Sequence, residues 1–318
     1  MVNAVSCVPG GYCAAGASYT DAADYGSAFV VSGHHGTWGT AHQVPGLAAL
    51  NVGGGASIGT ISCASPGNCG AGGGYSDGGG GVEAFVTSQV HGRWRTAEEV
   101  PGTAVLNHGF AVVDQVSCPA AGNCAGGGIY MAMGDKFEAF VVSEVGGTWR
   151  TAREVPGTAA LNQGGYAETY SVSCATPGNC SAGGYYRNAA RHQQAFVVSQ
   201  DHGTWRPAHQ VPGTASLNHG SAQINQVSCA SSGTCSAGGL YTGPSGLRHA
   251  FVISQAHGTW SQAQQVPGIA ALTHGGYSST DALACPSPGH CTAGGTFIAT
   301  GSHHWQIFLA AQAPPPPP

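Results

Sequence analysis

The sequence predicts an all-β protein, a six-bladed β-propeller of four-stranded antiparallel blades, and three observations predict it. The first is a cysteine pair, spaced C-x5-C, that recurs six times along the 318 residues. Its first members are Cys7, Cys63, Cys118, Cys174, Cys229 and Cys285, at steps of 56, 55, 56, 55 and 56 residues. A period this regular marks one supersecondary unit copied in tandem, too small in each copy to be a separately cored domain. The second is the content of a unit, four short runs divided by Gly and Pro turns. The third is that no useful window has an apolar period near 3.6, which argues against helical solenoids.

The fourth unit, Glu168 to Ala222, shows the elements in order. Tyr170 to Cys174 alternates polar and apolar and reads as a first strand, and Pro177-Gly178 reads as a turn. Cys180 to Tyr186 reads as a second strand whose glycines admit a close neighbour. A polar loop, Arg187 to Gln193, leads to a buried third strand, Ala195 to Ser199. Asp201-His202-Gly203 turns the chain into a fourth, Thr204 to Val211, and Pro212-Gly213 ends it. Carried along the chain, this divides residues 1–312 into blades at about 1–56, 57–111, 112–167, 168–222, 223–278 and 279–312. In the last unit Ile307-Phe308-Leu309 takes the third-strand place and no Gly-Thr-Trp follows, so that blade is expected to have three strands. Residues 313–318 are one alanine and five prolines, which read as the start of a stiff linker on the order of 15 Å long.

Each cysteine pair falls where the first strand ends and the second begins, so a disulfide there would close one hairpin. The expected pairs are Cys7–Cys13, Cys63–Cys69, Cys118–Cys124, Cys174–Cys180, Cys229–Cys235 and Cys285–Cys291. The other use of such a pair is zinc, but two cysteines are half a tetrahedral site and no histidine accompanies them at a constant offset. No metal and no cofactor is expected. An even cysteine count suits an oxidising compartment, so a secreted or cell-surface protein is expected, although no leader peptide is read at Met1.

Charged residues are 7% of the chain, the only lysine is Lys136, and the net charge is −5. Nucleic acid and anionic membranes need clustered cations, so neither is an expected partner, and no apolar run is long enough to insert into a bilayer. A carbohydrate or protein ligand is expected instead, with the protein acting as a monomer.

The turn after the third strand resembles the Asp-box hairpin of sialidase-like propellers, S-x-D-x-G-x-T-W. Unit four reads Ser199-Gln200-Asp201-His202-Gly203-Thr204-Trp205, one residue shorter. His34, Val90, Val145 and Ala256 replace the aspartate elsewhere, while Gly36, Gly92, Gly147, Gly203 and Gly258 and Trp38, Trp94, Trp149, Trp205 and Trp260 recur. Units of the form SVSC-ATPGN-CSAGGYY, QAFVVS, GTW and VPGTAALN also resemble the cysteine-containing tandem repeats of exported actinobacterial proteins. That resemblance implies a propeller and export. A sialidase would need an arginine cluster, a tyrosine nucleophile with a carboxylate partner, and an acid. Arg95, Arg150 and Arg206 follow the tryptophans, at the opposite end of the blade from the usual substrate face. The carboxylates are scattered, with no pair spaced for acid/base work. The expectation is a recognition module without enzyme activity. A structural or sensor ectodomain tethered through the prolines is one alternative, and a degenerate glycoside hydrolase another.

Strand order puts the disulfide turns and Gly-Thr-Trp turns at one end of each blade. The second-to-third-strand loops and the blade connections lie at the other end, where propellers usually bind. Three sets of residues mark that face. An aromatic stands six residues after each second cysteine: Tyr19, Tyr75, Tyr130, Tyr186, Tyr241 and Phe297. These are either sugar-stacking rings or packing between blades. The connection VPGxAxLN carries Asn51, Asn107, Asn162 and Asn218, with His108, His219 and His274 following in three units. These are either ligand pockets or a Pro-Gly turn with a leucine plug and an asparagine bonded to backbone. Asn3, Asp114, Asn225 and Asp281 stand near the start of the first strand, at the expected channel mouth. The unlike loops Ser76 to Gly81, Met131 to Lys136, Arg187 to Gln193 and Thr242 to Arg248 would carry specificity for an asymmetric ligand.

Overall fold

The computed structural model describes residues 1–22 and 24–312; the proline-rich tail expected over 313–318 lies outside the described residues. The fold is the predicted six-bladed β-propeller, one antiparallel sheet per repeat. The chain divides into two compact units, Met1–Glu154 with blades one to three and the part from Val155 with blades four to six.

Blade four again serves for all. Its strands Ala167–Thr176, Asn179–Arg187 and Gln193–Asp201 pair in order, each longer at both ends than the sequence reading. The fourth strand is not continuous. It is two dipeptides, Thr204–Trp205 and His209–Gln210, paired along the same third strand. Blade one has the same gap, between Thr37–Trp38 and His42–Gln43, and in blades two to five a bond to the preceding connection accompanies it. Between the dipeptides Ala208 turns its N–H away to the Pro156 carbonyl, 2.6 Å off, and Ala97, Ala152 and Ala263 do the same to Pro45, Pro101 and Pro212. The outer edge thus trades ladder bonds for bonds to the Val-Pro-Gly segment of the preceding connection. Blade six has only Tyr277–Ser287, His290–Ile298 and Gln306–Ala311, as expected.

Both turns at one end of each blade are fixed by chemistry. In the third-to-fourth-strand hairpin both central residues are left-handed, for example His202 at φ 46° and Gly203 at φ 81°. This is the primed turn that matches strand twist, and glycine at its second place carries no steric cost. The Gly203 N–H then bonds to Gly178 O in the disulfide turn at 2.8 Å, and Gly92, Gly147 and Gly258 make the same bond in their blades. All six expected disulfides are present, and the joined residues face each other with Cα atoms 3.9–4.1 Å apart.

Apolar cores lie between consecutive sheets. In the first unit Ile58, Ile61 and Phe85 pack with Val30 and Leu47, and Val113, Val116 and Phe140 pack with Val86. In the second, Ile224, Val227 and Phe251 pack with Val197. The leucine expected to plug each connection is only half-buried or exposed. The residue after Pro-Gly is buried instead: Leu47, Thr103, Thr158, Thr214 and Ile269 are at most 1% exposed. Each opens a helical turn of four or five residues, such as Thr103–Leu106, behind a glycine at positive φ. Where the plug is threonine, its hydroxyl donates to a backbone carbonyl, as Thr103 does to Val100 O at 2.7 Å.

The first strands of all six blades carry a bulge at one equivalent place, and in blades two to six glycine answers it from the second strand, with Ala17 there in blade one. A Cβ added at Gly184 would collide with Glu168 O, and Gly73, Gly128, Gly239 and Gly295 face the equivalent carbonyls. Here the Gly-Gly of the repeat is obligatory.

Each disulfide closes a loop short enough that its removal should cost about 2 kcal/mol. The double variant Cys229→Ala/Cys235→Ala is expected to lower the urea-unfolding free energy of the oxidised protein by that amount. An unchanged midpoint and slope would show the hairpin holds itself without the bond.

Candidate ligand-binding face

The repeated aromatics belong to the core. Tyr75, Tyr130, Tyr186, Tyr241 and Phe297 are 3–7% exposed, and only Tyr19, at 44%, shows its ring to solvent. Tyr75, Tyr130 and Tyr241 pack 6.2–6.5 Å from Phe85, Phe140 and Phe251 on the neighbouring third strand. Burial pushes the hydroxyls of Tyr75, Tyr130, Tyr186 and Tyr241 above the ordinary phenol range. The sugar-stacking reading is thereby corrected for these positions: a ring inside the sheet packing offers no face to a ligand.

The asparagines are corrected likewise, because their bonding capacity goes to backbone. Asn51 donates to Gly26 O at 2.8 Å and accepts from Gly55 N at 2.9 Å. Asn107 donates to Val82 O at 3.0 Å and accepts from Gly109 N and Phe110 N. Asn162 accepts from Tyr166 N at 2.7 Å, and Asn218 donates to Gln193 O at 2.9 Å and accepts from Gly220 N. Gly26, Val82 and Gln193 are the first residues of third strands, so Asn51, Asn107 and Asn218 each clamp a blade connection to the sheet it leaves. His108, His219 and His274 are exposed on these connections. Among the described residues no three His, Cys, Asp or Glu side chains gather as metal ligands.

Asn3, Asp114, Asn225 and Asp281 prove to be the bulged residues of their first strands, with Gly59 and Tyr170 in the other two blades. Asn3 donates to Ile58 O and Asn225 to Thr280 O, each at 2.9 Å, so both bridge to the first strand of the next blade. Asp281 accepts from Ser279 at 2.6 Å and Thr296 at 2.8 Å. Asp114 is half-buried.

The bulge of blade four organises residues absent from the candidate set. Glu168 lies directly across from Tyr185, and bulged Tyr170 and preceding Tyr166 complete the group. Tyr166 and Tyr185 stack at 5.4 Å and 13°, Tyr170 leans on Tyr185 at 5.3 Å, and the Arg187 guanidinium sits 5.1 Å above Tyr166. Three hydroxyls point at the one carboxylate, Tyr166 from 3.2 Å. Burial lifts the Glu168 carboxyl above the usual carboxylate range, while hydrogen bonds from Tyr166, Tyr185 and Tyr170 pull it back. Tyr185 is driven up by burial, by its bond with Tyr166 and by nearby Tyr170 and Glu168. Tyr166, Glu168 and Tyr170 keep partial exposure, and Arg187 is exposed.

A separate polar chain starts at Gln193, across from Arg187, and runs through blades five and six at the same level. Gln193 donates to Gln223 at 2.8 Å, Gln223 to Asn225 at 2.6 Å, and Asn225 to Ser279 at 3.1 Å, which donates on to Asp281. The second unit therefore carries a phenol and carboxylate group in blade four and an amide, hydroxyl and carboxylate chain from Gln193 to Asp281. The available sequence signal was departure from the repeat. The places of Glu168 and Tyr185 hold Ser57 and Gly74 in blade two, Val112 and Ile129 in blade three, and Gln223 and Leu240 in blade five.

At the opposite end, Asp201 accepts from Arg206 and meets His202, each at 2.6 Å and all in solvent. Bonds from Arg206 and His202 hold its carboxyl below the usual range. Arg95 is spent on Gly147 O at 2.9 Å.

No known protein-family model matches the chain, and no curated protein matches it. Among solved structures it is similar to a neuraminidase-like protein from A/bat/Guatemala/164/2009. The identity is 9% over 98% of this chain and 88% of that one, with a TM-score of 0.50. It is also similar to an ulvan lyase of a polysaccharide lyase family, bound to -[GlcA(1-4)Rha3S]-. There the identity is 10% over 96% of this chain and 82% of that one, with a TM-score of 0.51. At such identities the likeness shows the fold alone, a β-propeller.

The asparagine clamp separates two neighbouring positions. Asn107→Ala should lower the unfolding free energy by about 1–3 kcal/mol, because two backbone donors and one acceptor lose a buried partner. His108→Ala should stay within about 0.5 kcal/mol. Equal effects in denaturant titrations would contradict the clamp.

Proposed function

We propose that this protein is an extracellular, non-enzymatic carbohydrate-binding module that acts as a monomer. The row from Tyr166, Glu168 and Tyr170, backed by the buried Tyr185, through Asn225 to Asp281 is its site. The observation that carries this reading is the blade-four cluster. A carboxylate and phenol rings, half-exposed and aligned with amides and hydroxyls, offer the acceptors, donors and apolar faces that sugar hydroxyls and ring carbons require. The six disulfides fit an oxidising, extracellular setting. The repeat's resemblance to exported actinobacterial proteins and its Asp-box-like hairpin agree with that setting. Binding is favoured over turnover because a nucleophilic tyrosine needs its phenolate stabilised, whereas burial and the neighbouring Tyr166, Tyr170 and Glu168 disfavour the charge on Tyr185. Arg95 and Arg206, moreover, are engaged at the other end of the blades.

A glycan array probed with the folded, oxidised protein should give binders whose affinity falls about tenfold or more in Tyr170→Ala and Glu168→Gln. No binding to any sugar would remove the proposal, and hydrolysis of sialosides or other glycosides would convert it to an enzyme. Stability gives a second, independent readout. A carboxyl raised by burial costs stability while charged; the cost is present above its folded value and fades as pH falls through it. Glu168→Gln should therefore melt higher than the parent at pH 7, with the gap closing on acidification through the carboxylate range. A lower melting point for Glu168→Gln at pH 7 would show that the three hydroxyl bonds outweigh burial.

A further inference from the structure

A cavity of about 360 Å³ opens between blades four and five at the disulfide end, away from the row of polar groups just described. Asn179, Ser199 and the buried Gln255 line it, together with Asp201 and the exposed Arg206 and His257. Gln255 is 2% exposed, and its orientation is fixed: Nε2 donates to Ser199 Oγ at 2.8 Å and to Gly258 O at 3.2 Å. Its Oε1 is buried without a hydrogen-bond donor. An acceptor fixed in place beside a cavity with no donor is costly unless something completes it.

Blades one and two show what completes it. There Gln89 occupies the place of Gln255, with Nε2 donating to Ser32 Oγ at 3.1 Å and Gly92 O at 3.3 Å. Its Oε1 takes a 2.6 Å hydrogen bond from Tyr12, whose hydroxyl also lies 2.9 Å from Ser32 Oγ. Tyr12 is the residue before the second cysteine of its blade, and the same place in blade four is Asn179. Asn179 cannot reach across. It folds back onto its own turn, donating to Thr176 and Pro177 O and accepting from His202 N. The substitution recurs between blades two and three: Asn68 turns back to Ser65 and Pro66 O, and Glu144, in the glutamine's place, leaves Oε2 buried without a donor. Acceptor and serine are retained, and the tyrosine is gone.

We infer that the cavity between blades four and five binds a phenol, whose ring takes the space Tyr12 fills in blade one. Its hydroxyl donates to Gln255 Oε1 and meets Ser199 Oγ, the ring lies against the Cys180 and Cys235 disulfides, and the polar rim leaves the para position open to solvent. The phenol is either a free small molecule or a tyrosine side chain of another polypeptide.

Titration calorimetry with p-cresol should show binding near 1 mM, in keeping with eight heavy atoms and one good hydrogen bond. Toluene should bind at least tenfold more weakly. Asn179→Tyr should abolish p-cresol binding and raise the unfolding midpoint, because the new ring occupies the cavity. Gln255→Met, which keeps volume and loses the acceptor, should weaken p-cresol about tenfold while leaving toluene unchanged. Equal binding of p-cresol and toluene, or full p-cresol binding by a folded Asn179→Tyr variant, overturns the inference. So does silence up to the solubility limit. N-acetyltyrosinamide and an Ala-Tyr-Ala peptide assign the source: tighter binding than p-cresol points to a polypeptide, weaker binding to a free phenol.

Discussion

A sheet with a free edge is the constraint to which the rest of this structure responds. The first strand of each blade has backbone donors on its far side with no second neighbouring strand to accept them, and unpaired N–H groups there would be costly or sticky. The repeat answers with a serine just before the first cysteine of blades one to five; in blade six the residue is Ala284. Ser6 accepts from Cys63 N at 2.9 Å, while Ser62 accepts from Cys118 N, Ser173 from Cys229 N and Ser228 from Cys285 N, each at 3.0 Å. Higher on the same strands Thr60 accepts from Val116 N and Ser171 from Val227 N. At the outer edge the alanine-to-proline bonds perform the same service. Each blade thus finishes the hydrogen bonding of its neighbour, which is why a short unit is sufficient only as one of several.

What could be read from the sequence follows from this division. Period, strand order, disulfide pairing, turn ends and the short last blade were legible because every unit needs them and therefore repeats them. For the same reason, repetition misled about the site. Tyr75, Tyr130 and Asn107 recur because packing and clamping recur, so a set chosen for its periodicity collects structural residues. Glu168, Tyr170 and Tyr185 break the pattern of their own repeat: Tyr170 stands where most units carry Asn or Asp, and Tyr185 where blades two, three and five carry Gly74, Ile129 and Leu240. Their convergence also depends on the bulge, which no alternation rule reveals. The interruption of the fourth strand was hidden because a chain that alternates correctly can still give one N–H to another partner.

The two ends of the blades are built on different terms. At the disulfide end, covalent bonds and primed turns are nearly the same in every copy, and variation is confined to single residues such as Tyr12 and Asn179. At the other end, asparagine clamps hold the connections while the starts of the first strands differ from blade to blade. Individuality is therefore placed where the backbone is already secured by its neighbours.

The local character of the disulfides bears on how the chain reaches its oxidised state. Twelve cysteines allow on the order of ten thousand complete pairings, a search that would ordinarily call for repeated exchange. Here each cysteine's native partner is six residues away, and closing so small a loop costs far less entropy than finding any cysteine of another blade. A pair can oxidise as soon as its hairpin has formed, before the surrounding sheets meet. Oxidation then proceeds one hairpin at a time, and the number of repeats adds nothing to its difficulty.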